Sequence, residues 1–274
     1  TLIDHQGVLS IYPLTFESGG GWARAKVEYN RHDQAAPLKI SGHLNGVDAS
    51  IVHHDLFDRP GLIRGPTTGD FYLEGNPGSG TFWKQANGGA YFQIHQGTLR
   101  KFRGLAQIFS LLNVSQIFSG RLPDMDREGM PFDLMEGSFL LRAGLVETED
   151  LKITGEAMNM SIVGKQNLTE ETLDMILGVM PLRTVDKVIS SIPIAGWVLA
   201  GEDRAVLTAY FRVEGATENP SVSAIPVNTI SNTVLGVFKR TLGLPEKLMK
   251  DLGTLFQPDP VKKEETEQQR PQRE

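Results

Sequence analysis

Few residues in this chain are of types and spacings that could do chemistry. His53, His54 and Asp55 form the one dense cluster of possible metal-ligand types. Adjacent histidines on a helix point about 100° apart, so they chelate one ion poorly. Neither a His-x-x-x-His nor a His-Glu-x-x-His spacing occurs. His5, His32, His43 and His95 are scattered. Carboxylates gather at Glu147, Glu149 and Asp150, again at Glu170 and Glu171, and in the charged stretch Asp124, Asp126, Arg127 and Glu128. Acid–base catalysis needs such groups buried with shifted pKa values. Here they sit in polar turns, where a solvated edge is the expectation. A nucleophile elbow (Gly-x-Ser-x-Gly), a Walker-type loop and a Gly-x-Gly-x-x-Gly after a strand are all missing. Gly19-Gly20-Gly21 and Gly78-Ser79-Gly80 read as turns. The chain is therefore expected not to be an enzyme, and no metal or cofactor is expected.

The bulk numbers leave the class open but narrow it. The 274 residues carry a net charge of −6, so no basic face for nucleic acid is implied. Cysteine is absent, which removes disulfides and thiolate metal sites. The first residues lack a signal-peptide pattern and an initiator Met, so the chain is expected to begin mid-protein. No apolar run approaches the ~18–20 residues that cross a bilayer, so any membrane anchor is expected upstream of Thr1.

The informative signal is apolar alternation. Between Met130 and Asn167 three strands follow one another. Phe139 and Leu141, Leu151 and Ile153, and Met158, Met160 and Ile162 each recur at a spacing of two. Side chains on a strand alternate faces, so each segment has one greasy side. Strands are also expected at Gly7 to Phe16, Trp22 to Tyr29, Pro37 to Leu44, Thr67 to Leu73, Gly89 to Ile94, Thr172 to Met180, Arg204 to Val213 and Val222 to Ile225. Helices are expected near 48–56, capped by Asp48, and near 100–118, 184–199 and 228–256. The tail from Gln257 has almost no apolar residues and is expected to be disordered. The fold class is mainly β, a β-rich α+β chain: an antiparallel curved sheet forming an open groove, with short amphipathic helices.

Two readings of the apolar face compete. It lines an ordinary closed core, or it lines a trough that holds acyl chains. Thioethers such as Met158 and Met160 suit irregular apolar partners. The candidate lining is Phe139, Leu141, Leu151, Ile153, Met158, Met160, Ile162, Leu207 and Phe211. If Ile153 and Met160 face a groove, a charge at either should block lipid loading and spare folding; if the core is closed, it should unfold the chain.

The stretch Ser191 to Pro226 carries a resemblance. Pro193, Gly196 and Gly201 precede a long apolar strand, then Gly215, Asn219-Pro220-x-Val222 and Pro226. Upstream lie Gly97-x-Leu99, then Phe132-Asp133-x-Met135-x-Gly137-x-Phe139. Gly144-x-Val146-x-Thr148, Leu151-x-Ile153-x-Gly155, Asp174 and Pro181 follow. This resembles the C-terminal region of the AsmA-like family (the AsmA/YhdP/TamB type) of Gram-negative bacteria, well over Gly89 to Pro226 and loosely before it. The resemblance implies one unit over 1–256 and a periplasmic protein anchored in the inner membrane. It further implies that phospholipid acyl chains are shielded on their way to the outer membrane, with an outer-membrane or periplasmic partner as a possible contact. It brings no catalytic residues. The rival reading is an envelope assembly or scaffold factor that docks its partner through a sheet edge and carries no lipid.

Overall fold

A computed structural model describes residues 2–100, 103–112, 129–156, 158–181, 197–200, 206–226 and 230. Its fourteen strands form one sheet, and every pairing is antiparallel. In chain order these are β1 (Leu2–His5), β2 (Val8–Ser18), β3 (Gly21–Asn30), β4 (Leu38–Asp48), β5 (Ile63–Arg64), β6 (Pro66–Gly75) and β7 (Asn87–Leu99). They continue as β8 (Met130–Arg142), β9 (Leu145–Thr154), β10 (Met158–Asn167), β11 (Thr172–Pro181), β12 (Trp197–Ala200), β13 (Val206–Ala216) and β14 (Ser221–Ala224). The order across the sheet is β1-β2-β3-β4-β6-β7-β8-β9-β10-β11-β13-β12, with β5 added beside β7 and β14 beside β13. Among the described residues the first and last strands do not pair, so the sheet is open.

The sheet's connections differ from one rim to the other. Turns at Gln6–Gly7, Ala143–Gly144 and Leu168–Glu171 close one rim tightly. The opposite rim holds the two-residue turn Gly19–Gly20 and two long connections. They carry α1 (Ala49–Phe57) between β4 and β6, and the segment 100–129 with α3 (Arg103–Leu111) between β7 and β8. The short helix α2 (Phe82–Gln85) belongs to the tight-turn rim. Asp48 ends β4 and caps α1: its carboxylate accepts from the Ser50 N–H at 2.8 Å and from the Gly65 N–H at 3.3 Å.

Curvature has local causes. The β2–β3, β4–β6, β8–β9 and β9–β10 pairs each shift register at a bulge, and bulges add bend and twist. Gly42 lies where the neighbouring strand closes in. A Cβ there would sit 2.7 Å from the Arg24 carbonyl oxygen and 2.9 Å from Phe71 Cζ.

Several sequence expectations are corrected. The helix expected near 100–118 starts at Arg103, and Thr98 and Leu99 belong to β7. Trp197–Ala200, read as a helical turn, is an edge strand paired with Val206–Ala209. A four-residue apolar run has no period to separate helix from strand, and here the partner strand decides. The strands β1 and β5 and helix α2 went unread. The helix expected at 184–199 as far as residue 196, that expected at 228–256 apart from Ile230, the charged stretch 124–128 and the tail from Gln257 lie outside the described residues.

Candidate functional site: an apolar trough

Register places the apolar residues of successive strands on one face. One row runs Phe16, Ala23, Leu44, Gly69, Phe92 and Gly137 from β2 to β8. The next runs Leu14, Ala25, Gly42, Phe71, Ala90 and Phe139. The face continues as Leu151, Ile162, Leu177 and Phe211 from β9 to β13. A further row, nearer the helix-bearing rim, runs Thr67, Ile94, Met135, Ile153, Met160, Val179 and Ala209. The other face is polar. It carries Lys26 and Glu28 as an ion pair at 2.8 Å, and His43 beside Asp70 at 2.9 Å with Trp22 and Arg24 next to them.

The apolar face is covered unevenly along its length. Helix α3 lies on the β7–β14 half. Leu105, Ile108 and the following Leu112 are each 1 % exposed and join a cluster with Ile94, Met135, Ile153, Met158, Met160, Val179 and Phe211. Their spacing of three and four is the helical stripe that the sequence shows. In the β2–β7 half the face is less deeply covered, and the α1–β5 connection lies along its rim. Ile40, Leu44, Phe71 and Leu73 are half-buried there, and Leu14 and Phe16 are 41 % and 49 % exposed. Phe92 and Phe139 stack with ring centroids 5.1 Å apart at the boundary between the halves.

The nine residues singled out from sequence fall into three groups. Ile153, Met158, Met160 and Phe211 are 2–3 % exposed, and Leu141 is 8 % exposed. Phe139, Leu151 and Ile162 are half-buried. Leu207 lies in β13 opposite Leu199 of β12. Sequence reading missed the residues of the open half: Phe71, Phe92, Leu44 and Phe16. The alternation of Gly69, Phe71 and Leu73, and of Ala90, Phe92 and Ile94, held that signal.

Among the described residues the polar candidates do not converge. His54 and Asp55 meet at 3.4 Å, with side chains 61 % and 68 % exposed, and His53 Nδ1 lies 3.1 Å from the Arg59 carbonyl. No group of three His, Cys, Asp or Glu able to hold a metal occurs among the described residues. Asp150 accepts from the Ser138 N–H at 2.7 Å, filling in for the ladder at the β8–β9 bulge. Nearby, burial raises the Tyr91 phenol above its ordinary value, with the Glu136 and Asp150 carboxylates adding to the effect. Glu171 pairs with Arg59 at 2.7 Å. No described helix is long and apolar enough to cross a membrane.

An open antiparallel sheet with one apolar face, half filled by a helix and half bare, defines a trough-forming β protein. The chain belongs to the YhdP protein family, whose profile matches residues 2–222. That family is part of the AsmA-like group. No curated protein and no solved structure matches the chain.

Proposed function

We propose that this chain is the C-terminal, trough-forming region of an inner-membrane-anchored periplasmic protein. In this reading it shields acyl chains and helps move phospholipid between the inner and outer membranes. It acts as a carrier surface and performs no covalent chemistry. The observation behind the reading is the bare apolar face over β2–β7, continuous in register with the filled half. Leaving such a face in water costs about 25 cal/mol for each Å², and large exposed apolar patches mark binding surfaces. Membership of an AsmA-like family supports lipid as the cover.

The test is mass spectrometry of material extracted from the folded, purified chain. Bound phospholipid is expected in the wild type and should fall severalfold in Phe71→Glu and Phe139→Glu. Both positions are half-buried, so the variants should keep the wild-type circular dichroism. A folded wild type free of phospholipid would rule the carrier out.

One observation favours a second reading. Strand β1 pairs only Val8–Ile11 of β2, leaving the outer edge of residues 12–18 without a strand partner among the described residues. A protein partner could add a strand there without any lipid being carried. Loss of a co-purifying protein on Thr15→Pro, with no lipid in either form, would select this scaffold role.

A further inference from the structure

Arg59 and Glu171 are 112 residues apart, yet Arg59 Nη2 lies 2.7 Å from Glu171 Oε1. The two belong to opposite rims. Arg59 follows α1 in the connection from the end of β4 to the start of β6. Glu171 closes the turn from β10 to β11. Four strand intervals separate β6 from β10 in the sheet. At about 4.8 Å each, that is roughly 20 Å sideways, and a ten-residue strand holds its two ends about 33 Å apart. A flat sheet would keep these residues nearly 40 Å from each other. The meeting therefore requires the sheet to curl and the α1–β5 connection to pass over the hollow face. Ala49 and Ile63, at the two ends of that connection, pack against the core cluster on the same face. Each partner is presented by a left-handed residue, Asp58 at φ 52° and Glu171 itself at φ 51°. Their side chains are 52 % and 51 % exposed.

We propose that the Arg59–Glu171 pair is a latch tying the two rims across the mouth of the trough, whose release admits cargo to the half that α3 fills. The proposal rests on the acyl-chain reading above. An exposed pair shifts a closed-to-open ratio by no more than about fivefold, and salt weakens it. That weight suits a closure that must reopen without chemical energy. The pair is one contact across the mouth, and the apolar face beneath it is continuous with the bare half.

The sequence has no cysteine, so two introduced thiols can be labelled cleanly. His54→Cys and Glu170→Cys place spin labels at exposed positions on either side of the latch and leave both partners in place. Electron–electron distance measurements should show a short population. Arg59→Glu should deplete it up to fivefold, and the double reversal Arg59→Glu/Glu171→Arg should restore it. Phosphatidylethanolamine–phosphatidylglycerol vesicles should lengthen the wild-type distance. An unchanged distance in Arg59→Glu overturns the latch, whatever lipid does. A distance that answers to charge but not to vesicles, in protein that carries extracted phospholipid, overturns its role in cargo entry. Absence of phospholipid from wild-type protein strikes the carrier reading instead and is read in the extraction, separately from the distances.

Discussion

Ile153 and Phe71 share one face of the sheet but differ in what covers them. Ile153 is 2 % exposed beneath the α3 cluster, and Phe71 is half-buried in the bare half. Truncating a buried Ile leaves a cavity, so Ile153→Ala should cost 2–5 kcal/mol, roughly, by urea denaturation. Met160→Glu should cost more, because a carboxylate would enter a site 3 % exposed with no partner. The closed-core outcome thus applies to these two positions, and lipid loading is better probed at Phe71 and Phe139. Tyr91 gives a pH signature. Its folded pKa is raised above 10.0, mainly by burial and then by Glu136. The neutral phenol is favoured in the fold, so its contribution is complete below the unfolded value. It is lost as pH climbs from about 10 through the raised folded value. Stability measured from pH 9 upward should fall in the wild type, and Tyr91→Phe should flatten that fall.

At the level of elements, Asp48 binds two ends of one connection. Its carboxylate holds the first turn of α1 through Ser50 and the start of the returning strand through Gly65. Asp48→Ala should lower stability by about 1 kcal/mol, read as a drop in thermal midpoint. This helix was legible from sequence because a cap and a following Pro60 mark its limits. The hairpins were legible from period-two alternation and turn glycines. Trp197–Ala200 and Leu2–His5 were misread or missed because four residues hold too little period to tell one state from another. The start of α3 was placed near 100, about three residues early, and the strand state of Thr98 and Leu99 comes from pairing with Pro131 and Met130. The phase of β8 also shifts. Phe132 and Met135 both point to the core although three apart, and Gln96 opposite the shift takes φ 51°.

For the molecule as a whole, alternation announced an apolar face but could not say what lies against it. Met160 and Phe71 look alike in sequence, Met160 between Asn159 and Ser161 and Phe71 between Asp70 and Tyr72. Only the path of α3 across the sheet separates them. The Arg59–Glu171 contact was likewise invisible, since two turn residues 112 positions apart carry no mutual signal.

The division of the connections between the two rims has a consequence for size. Tight turns such as Ala143–Gly144 share one margin with α2, and α1 and α3 hang from the other. Twelve strands lie side by side along the main path. At about 4.8 Å per step they measure roughly 50 Å from first to last. Adding one plain hairpin at an edge would widen the sheet by about 10 Å. Reach is thus counted in hairpins, and a protein built this way can be fitted to a gap of any width by duplication alone.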